Sequence, residues 1–427
     1  MLDINLIRNH PEFVAGKLSH KGFEVDFTAF LEQDRQRRQL IKQTEDLKAE
    51  KNKTSALIPK MKKEGTDIAS VLADMKKISD AVREGDEQLA LLEQKQNSFL
   101  ASLPNLPADD VPAGGKENNQ VIKISGEKPS FSFSPRHHVD LVEATGLIDY
   151  ARGAKLGGSG FWIYTGDGAR LEWALLNFFI AEHLQDGYQM LLPPHILNYS
   201  CGYTAGQFPK FEEDVFQLKR DDKESFTHFI LPTAETALVN LHRDEIIDTD
   251  RLPLKYFAFT PCYRKEAGSY RAEERGMIRG HQFNKIELFQ YTEPDHSEAA
   301  LEELVHKAAN LVEKLGLHYR LSKLAAGDCS AFMRKTYDIE VWIPSMNDYK
   351  EVSSASSAGD YQARRGNIRY RDKVTGKPAF AHTLNASGLA TSRIFPAIVE
   401  QYQQEDGSIL IPEVLQPWMG GQRIINA

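Results

Sequence analysis

An α+β domain with an antiparallel sheet, preceded by a long antiparallel helical hairpin, is the fold class that the sequence predicts. Three observations predict it. From about Thr28 to Leu103 the chain has few glycines, one proline (Pro59) and apolar residues at heptad spacing. A Pro-, Gly- and Asn-rich stretch follows at 104–120. Beyond it, short apolar or β-branched runs alternate with helical stretches to the C-terminus, the pattern of a mixed domain. The chain has 427 residues, too many for one small core. The expected division is an N-terminal domain over 1–103 with its helical arm over about 28–103, a linker over 104–120, and a second domain over 121–427.

Taken in order, residues 1–26 predict a short helix starting near His10-Pro11-Glu12, with the proline in the first turn. Val71, Met75, Ile78, Val82, Gly85, Leu89, Leu92, Gln96, Phe99 and Leu103 then alternate spacings of four and three, the seam of a coiled coil. Arg37, Leu40, Thr44, Leu47, Lys51, Thr54 and Ile58 form a weaker seam before it. Glu64-Gly65-Thr66-Asp67 lies between them, with a glycine to end one helix and residues to cap the next. Each helix of about 35 residues is roughly 50 Å long. The first is rich in cations, among them Arg35, Arg38, Lys42 and Lys53. Two readings stay open for these, a solvated face and a surface for phosphates.

After the linker, strands are expected at Gln189 to Leu192, Phe226 to Leu231, Lys255 to Thr260, Phe283 to Tyr291 and Thr336 to Ile343. Helices are expected at Gly168 to Gln185, Thr233 to Arg243 and Ser297 to Leu315. The net charge of -8 argues against non-specific coating of nucleic acid but leaves room for a local basic surface. Cys201, Cys262 and Cys329 are far apart with no CxxC pair, so neither a disulfide framework nor a cysteine-rich zinc site is expected. The N-terminus lacks a signal-peptide pattern, and no apolar run is long enough for a bilayer. A cytoplasmic protein with no membrane partner is expected.

The sequence has no GxxxxGK[ST] loop and no HExxH, and Gly157-Gly158-Ser159-Gly160 lacks the GxGxxG frame. The segment Phe259 to Glu266 reads instead as a strand ending in Arg264 and Glu266, on one face. There an arginine can fork onto a phosphate and a carboxylate can accept from an amine. A loop over Ala267 to Ile278 and a returning strand over Arg279 to Glu287 complete a charged hairpin. On its residues alone it is compatible with a structural as well as a functional role.

The segment Thr260-Pro-Cys-Tyr-Arg-Lys-Glu-Ala-Gly-Ser-Tyr270, with His281-Gln-Phe-x-Lys-x-Glu287 after it, resembles motif 2 of the class II aminoacyl-tRNA synthetases, and in detail the seryl-tRNA synthetase family. Leu231-Pro-Thr-Ala-Glu235 is similar to that family's serine-site segment. Tyr337-Asp-Ile-Glu-Val-Trp342 and Lys350-Glu-Val-Ser-Ser354 resemble its ATP- and metal-binding strands, and Gly359-Asp-Tyr-Gln-Ala-Arg-Arg365 follows as in the family. Leu384-Asn-Ala-Ser-Gly-Leu-Ala-Thr-Ser-Arg393 resembles motif 3. Gly168-Ala-Arg-Leu-Glu through Leu192-Pro-Pro194 resembles motif 1, which makes the dimer interface in this class.

The resemblance implies a class II catalytic domain over 121–427 and a tRNA-binding arm before it. It implies a serine–tRNA ligase that forms seryl adenylate from ATP and passes serine to tRNA(Ser), with tRNA(Sec) as a second acceptor. Arg264 and Arg393 are the implied catalytic residues. The implied ATP site contains Arg264, Lys265, Glu266, Gly280, Phe283, Glu351, Val352, Ser353, Ser354 and Arg393, with Phe283 and Arg393 on the two faces of the adenine. Glu351 and Ser354 are the implied ligands of Mg²⁺; no zinc is expected. Thr233, Ala234, Glu235, Arg264, Glu287 and Ser387 are the implied serine site, and Arg35, Arg38, Lys42 and Lys53 the implied tRNA contacts. A homodimer through motif 1 is implied, and DNA is not an expected partner. Ala355, Ala386 and Ser392 depart from the family pattern of Cys, Gly and Gly. Other readings to be separated by assay are an adenylate-forming paralogue serving a carrier protein, a non-enzymatic RNA-binding scaffold, and a synthetase for another amino acid.

Overall fold

A computed structural model describes residues 1–65, 68–219, 226–266 and 276–427. The chain divides into two compact units. One comprises residues 2–19 and 24–103; the other comprises Met1, 20–23 and 104–427.

In the smaller unit, two short helices replace the one expected: α1 (Ile4–Asn9) and α2 (Pro11–Ser19). Asp3 caps the first by accepting from the Asn5 N–H, and Pro11 opens the second, where its missing N–H costs nothing. The hairpin consists of α3 (Thr28–Lys63) and α4 (Ala69–Ser102). The two seams turn inward: Thr44, Gly85 and Gln96 are buried, and the other seam residues up to Phe99 are half-buried among exposed neighbours. At Gly85 a side chain would begin 2.6 Å from the Thr44 hydroxyl, so the glycine lets the helices approach. The predicted capping residues Thr66 and Asp67 lie outside the described residues. Near the base, Asp34 is fully buried and accepts from Arg8 and Gln96, which ties α1 to both long helices.

The larger unit is built on an eight-stranded sheet. Its strands are β1 (Gln120–Ser125), β2 (Gln189–Leu191), β3 (Leu254–Tyr263), β4 (Gln282–Thr292), β5 (Tyr319–Lys323), β6 (Lys335–Ile343), β7 (Asp348–Gly359) and β8 (His382–Ala390). Their spatial order is β1-β5-β6-β7-β8-β4-β3-β2. Every pairing is antiparallel except β2 with β3.

Three helices, α5 (Asp167–Gln185), α6 (Ser297–Lys314) and α7 (Thr391–Gln401), share one apolar core with the sheet. Phe179, Leu304 and Phe395 belong to it together with Ile286, Leu288, Ile339 and Val341. Strand side chains alternate between faces. The residues between them, Lys285, Glu287, Asp338 and Glu340, therefore point away from the helices and line a cleft.

Gly168, in the first turn of α5, has the Leu147 carbonyl 2.1 Å from where a Cβ would sit, so this close backbone approach requires glycine. Residues 104–120, linker-like in composition, pack within this unit. Asn105 is buried and donates to the carbonyls of Phe332 and Ala358, and Ala108 and Val111 pack with Ala326. The helix expected over Thr233 to Arg243 is shorter, covering Glu235–Leu238 before breaking into turns.

Candidate active site

A cleft of about 710 Å³ opens on the sheet face opposite the helices. Its floor is set by strand register. Glu287 on β4 sits directly across from Ser387 on β8, and period-two alternation brings Phe283 and Lys285 to the same face. Thr233, Glu235, Arg264, Glu287, Glu351, Ser354, Ser387 and Arg393 all line this cleft, although they come from six segments of the sequence.

At its inner end is a buried polar pocket. The Lys285 ammonium donates to the Thr233 hydroxyl at 2.7 Å and makes a short ion pair with Glu287. The Thr233 hydroxyl donates to Glu287 Oε2 at 3.2 Å and accepts from the Glu235 N–H at 3.3 Å. Gln362 donates to Glu235 Oε1 at 2.8 Å and itself accepts from Thr383. Burial, then the charge of Glu287, pushes the Glu235 carboxyl up to about 7. Ala234 is fully buried beside it. The pocket thus places two carboxyl groups and a hydroxyl around a small volume, with one ammonium between them.

At the centre, Arg264 donates its N–H to the His281 carbonyl and its Nε to the Pro232 carbonyl at 3.3 Å. Its guanidinium stands 5.1 Å from the Phe283 ring centroid, within cation–π range. The strand expected to run through Glu266 ends at Tyr263. Glu266 has φ of +50°, so the shared-face argument for Arg264 and Glu266 does not hold. The left-handed turn instead directs Glu266 to Arg279, with which it pairs at 2.8 Å, and both residues line an adjoining pocket beside Arg264. Lys265 has an exposed side chain, and its N–H donates to the Asp214 carbonyl. The loop residues 267–275, including Gly268, Arg271 and Arg275, lie outside the described residues.

On the far side, Arg393 at the start of α7 donates to the Glu351 carbonyl at 2.8 Å and approaches its carboxylate at 3.3 Å. Ser354 donates to Asp338 at 2.5 Å and lies 3.2 Å from Glu351 Oε1. Burial and the charge of Glu351 push Asp338 well above the usual carboxylate range. For Glu351, burial works in the same direction, but Arg393 and then Arg264 outweigh it and hold the carboxyl below its ordinary value. Val352 and Ser353 are buried on either side of the sheet, and Ser353 donates to the Ser387 carbonyl at 2.6 Å.

Phe283, Arg393, Gly280 and Val352 are among the residues that line a narrow crevice of about 90 Å³. At Gly280 a Cβ would sit 2.1 Å from the Trp162 ring, so a side chain there has no room. Ala355 and Ala386 are opposite each other in register and fully buried, and Ser392 lines the crevice. None of the three is among the described non-glycine residues with positive φ, so the substitutions for glycine carry no backbone strain.

Lys285, Asp338 and Asn385 line the cleft and Gln362 bonds to Glu235 beside it, and sequence reasoning singled out none of the four. Each lies inside a quoted motif, and period two from Phe283 and Glu287 would have placed Lys285 in the pocket. On the arm, Arg35 pairs with Glu32 and Arg38 with Asp34, while Lys42 and Lys53 are exposed. Among the described residues, no helix is long and apolar enough to cross a membrane.

The chain is similar to known proteins over its whole length. The seryl-tRNA synthetase N-terminal domain family matches residues 1–107, and the tRNA synthetase class II core domain (G, H, P, S and T) matches 216–402. Serine–tRNA ligase 2 of Clostridium acetobutylicum is 61% identical over 99% of this chain and 100% of its own length. A serine–tRNA ligase of Nitratidesulfovibrio vulgaris is 44% identical over the full length of both. The crystal structure of seryl-tRNA synthetase from Pyrococcus horikoshii complexed with ATP superposes with a TM-score of 0.91 at 34% identity, covering 100% of this chain and 99% of that one. With two domain models in the family's order and relatives matched end to end, the chain belongs to the seryl-tRNA synthetase family of class II aminoacyl-tRNA synthetases.

Proposed function

We propose that the protein is a serine–tRNA ligase that condenses L-serine with ATP to seryl adenylate and pyrophosphate, then transfers serine to the 3′-terminal ribose of tRNA(Ser). The observation that carries this reading is the convergence in one cleft of a buried pocket with two carboxyl groups, an arginine pair and an oxygen-donor pair.

Glu235 receives the serine ammonium, and Glu287, held by Lys285 and Thr233, accepts from the serine hydroxyl. Ser387 and Ala234 close the pocket. A buried acceptor left unpaired by alanine discriminates strongly against it, whereas exclusion of threonine relies on pocket size. Arg264 grips the α-phosphate and the serine carboxylate, neutralising charge as the carboxylate oxygen attacks phosphorus and pyrophosphate leaves. Positioning and charge stabilisation suffice for this step, and no general base is required. Phe283 and Arg393 enclose the adenine, Glu266 and the backbone at Lys265 meet its edge, and Gly280, Val352 and Ser353 shape the walls.

Glu351 and Ser354 offer a carboxylate and a hydroxyl in contact with each other, with Asp338 behind them. An all-oxygen donor set of this kind fits a hard divalent cation such as Mg²⁺. When bound, Mg²⁺ supplies charge neutralisation on the ATP phosphates. Chelation of divalent ions is expected to abolish activity and added Mg²⁺ to restore it.

The domain division is an arm-bearing tRNA-binding domain at 1–103, a connecting segment at 104–120 and a catalytic domain at 121–427. Arg35, Arg38, Lys42 and Lys53 meet the tRNA backbone, which is recognised chiefly by shape. The protein works as a cytoplasmic homodimer joined through α5, and tRNA(Sec) is a second acceptor. Aminoacylation with radiolabelled serine tests the reading. Charging of tRNA(Ser) transcripts is expected, and adenylate formation without transfer to any tRNA would contradict it. The same assay with tRNA(Sec) tests the second acceptor.

A further inference from the structure

Glu172 lies on α5, outside the cleft, and has no part in the chemistry described above. Its side chain is 3% exposed, yet it carries a carboxyl group. Burial pushes that group up to about 7, against the hydrogen bonds from Thr391 and Asn284 and the nearby Tyr164 hydroxyl. A carboxyl buried this deeply costs stability unless its hydrogen bonds compensate.

Those bonds have a particular geometry. A single oxygen, Oε1, accepts from Asn284 Nδ2 at 2.8 Å and from the Thr391 hydroxyl at 2.6 Å. The Thr391 hydroxyl also lies 3.1 Å from the Asn284 carbonyl. Asn284 follows Phe283 on β4 and points to the opposite face of the sheet. Thr391 is the first residue of α7, two positions before Arg393. One oxygen behind the sheet therefore joins the backbone segments that carry Phe283 and Arg393, both of which line the narrow crevice.

We propose that Glu172 is a positioning residue for ATP: by bridging Asn284 and Thr391 it fixes the gap between Phe283 and Arg393 into which the adenine fits. The inference rests on the assignment of Phe283 and Arg393 as the adenine's two faces. It deepens that reading by placing the control of the gap on the helix that carries motif 1. The serine pocket depends on Thr233, Lys285 and Glu287, and none of their bonds reaches Glu172. Lys285 follows Asn284 on β4 but points to the opposite face, so serine binding should respond less to the tie than ATP binding.

The test uses the full-length protein in serine-dependent ATP–pyrophosphate exchange, with the KM values for ATP and serine measured separately. Thr391→Val keeps the side-chain shape but removes the hydroxyl. It is expected to raise the KM for ATP by about tenfold while the KM for serine moves by less than about twofold. Glu172→Ala should do the same, and the double variant should add little to either, because both break one network. Glu172→Gln and Thr391→Ser keep the oxygen acceptor and the hydroxyl donor, so both should stay within about threefold of wild type.

An unchanged KM for ATP in folded Thr391→Val would overturn the proposal, as would an equal rise in both KM values. If Glu172→Ala does not fold, Thr391→Val and Thr391→Ser decide the matter. Arg393→Ala separates the two levels of the argument. If it leaves the KM for ATP unchanged, the adenine-site reading itself is wrong. If it raises that KM while Thr391→Val does not, the site stands and the positioning role fails.

Discussion

Glu235 and Glu287 share a pocket with one lysine, and their charges set how the site responds to pH. Glu235 titrates near 7 in the folded protein, above the ordinary 4.5 of a glutamate, because of burial and then repulsion from Glu287. For stability the sign follows directly. A carboxyl whose folded value is raised contributes stability that is fully present below about 4.5 and is lost as pH rises through about 7. For binding the sign is opposite, because serine's ammonium pairs with the ionised form. Ionisation falls from ~90% at pH 8 to ~10% at pH 6 for a group near 7. The KM for serine is therefore expected to rise by up to about tenfold over that interval. Glu235→Gln should raise the KM at pH 8 and flatten its pH dependence; a steep dependence in that variant would contradict the assignment.

At this scale the sequence was most readable where a quoted motif brings a residue into the cleft, as at Thr233, Arg264 and Ser387. It was least readable where burial overturns the usual habit of a side chain. Lysine seldom sits inside a protein without a partner, so nothing local marks Lys285 as a pocket residue until Glu287 is placed beside it. Glu266 was misplaced for a different reason. An alternation argument presumes extended backbone, and at φ of +50° that presumption fails.

Among the elements, the hairpin was the most legible because a heptad seam is a local signal, carried by spacing alone. Even its non-apolar positions were informative: Thr44, Gly85 and Gln96 are buried in the seam, as Leu103 is at its end. The expected helix at Thr233 to Arg243 was overcalled. Asn240 there donates its side-chain amide to the Thr236 and Cys201 carbonyls, and Asp244 adopts a positive φ. Side-chain bonds of this kind compete with continued helix.

Two predictions belong to elements. Replacing Arg35, Arg38, Lys42 and Lys53 together by alanine should weaken tRNA binding by about tenfold or more and flatten its salt dependence. Serine-dependent pyrophosphate exchange should remain at the wild-type rate, since it needs no tRNA; a parallel loss of exchange would count against a dedicated tRNA surface. Gly168→Ala places a methyl group against the Leu147 carbonyl. It should destabilise the protein by about 1–3 kcal/mol in chemical denaturation, the usual cost of overpacking.

For the whole molecule, the alternation of short apolar runs with helical stretches foretold an α+β class with an antiparallel sheet but not the order β1-β5-β6-β7-β8-β4-β3-β2. That order depends on pairings between distant segments, such as β4 with β8, and no local propensity encodes them. The parallel pairing of β2 with β3 was unread for the same reason. The assembly is a further question at this scale. Trp173, Leu184 and Leu192, on α5 and just beyond β2, are more than half exposed. Such a surface on motif 1 is what a subunit interface would bury. If the proposed homodimer joins through this surface, Trp173→Glu is expected to sediment as a monomer where the wild type sediments as a dimer; a wild-type monomer, or a dimer in both, would contradict it.

The central claim is that the cleft selects serine and activates it with ATP, with Glu287 making the selection. The most direct measurement is ATP–pyrophosphate exchange across all twenty amino acids, run in parallel on the wild-type protein and on Glu287→Ala. Strong exchange with serine and background with the rest is expected for the wild type, and loss of that preference for the variant. No serine-dependent exchange by folded wild-type protein, or unchanged selectivity in Glu287→Ala, would contradict the account.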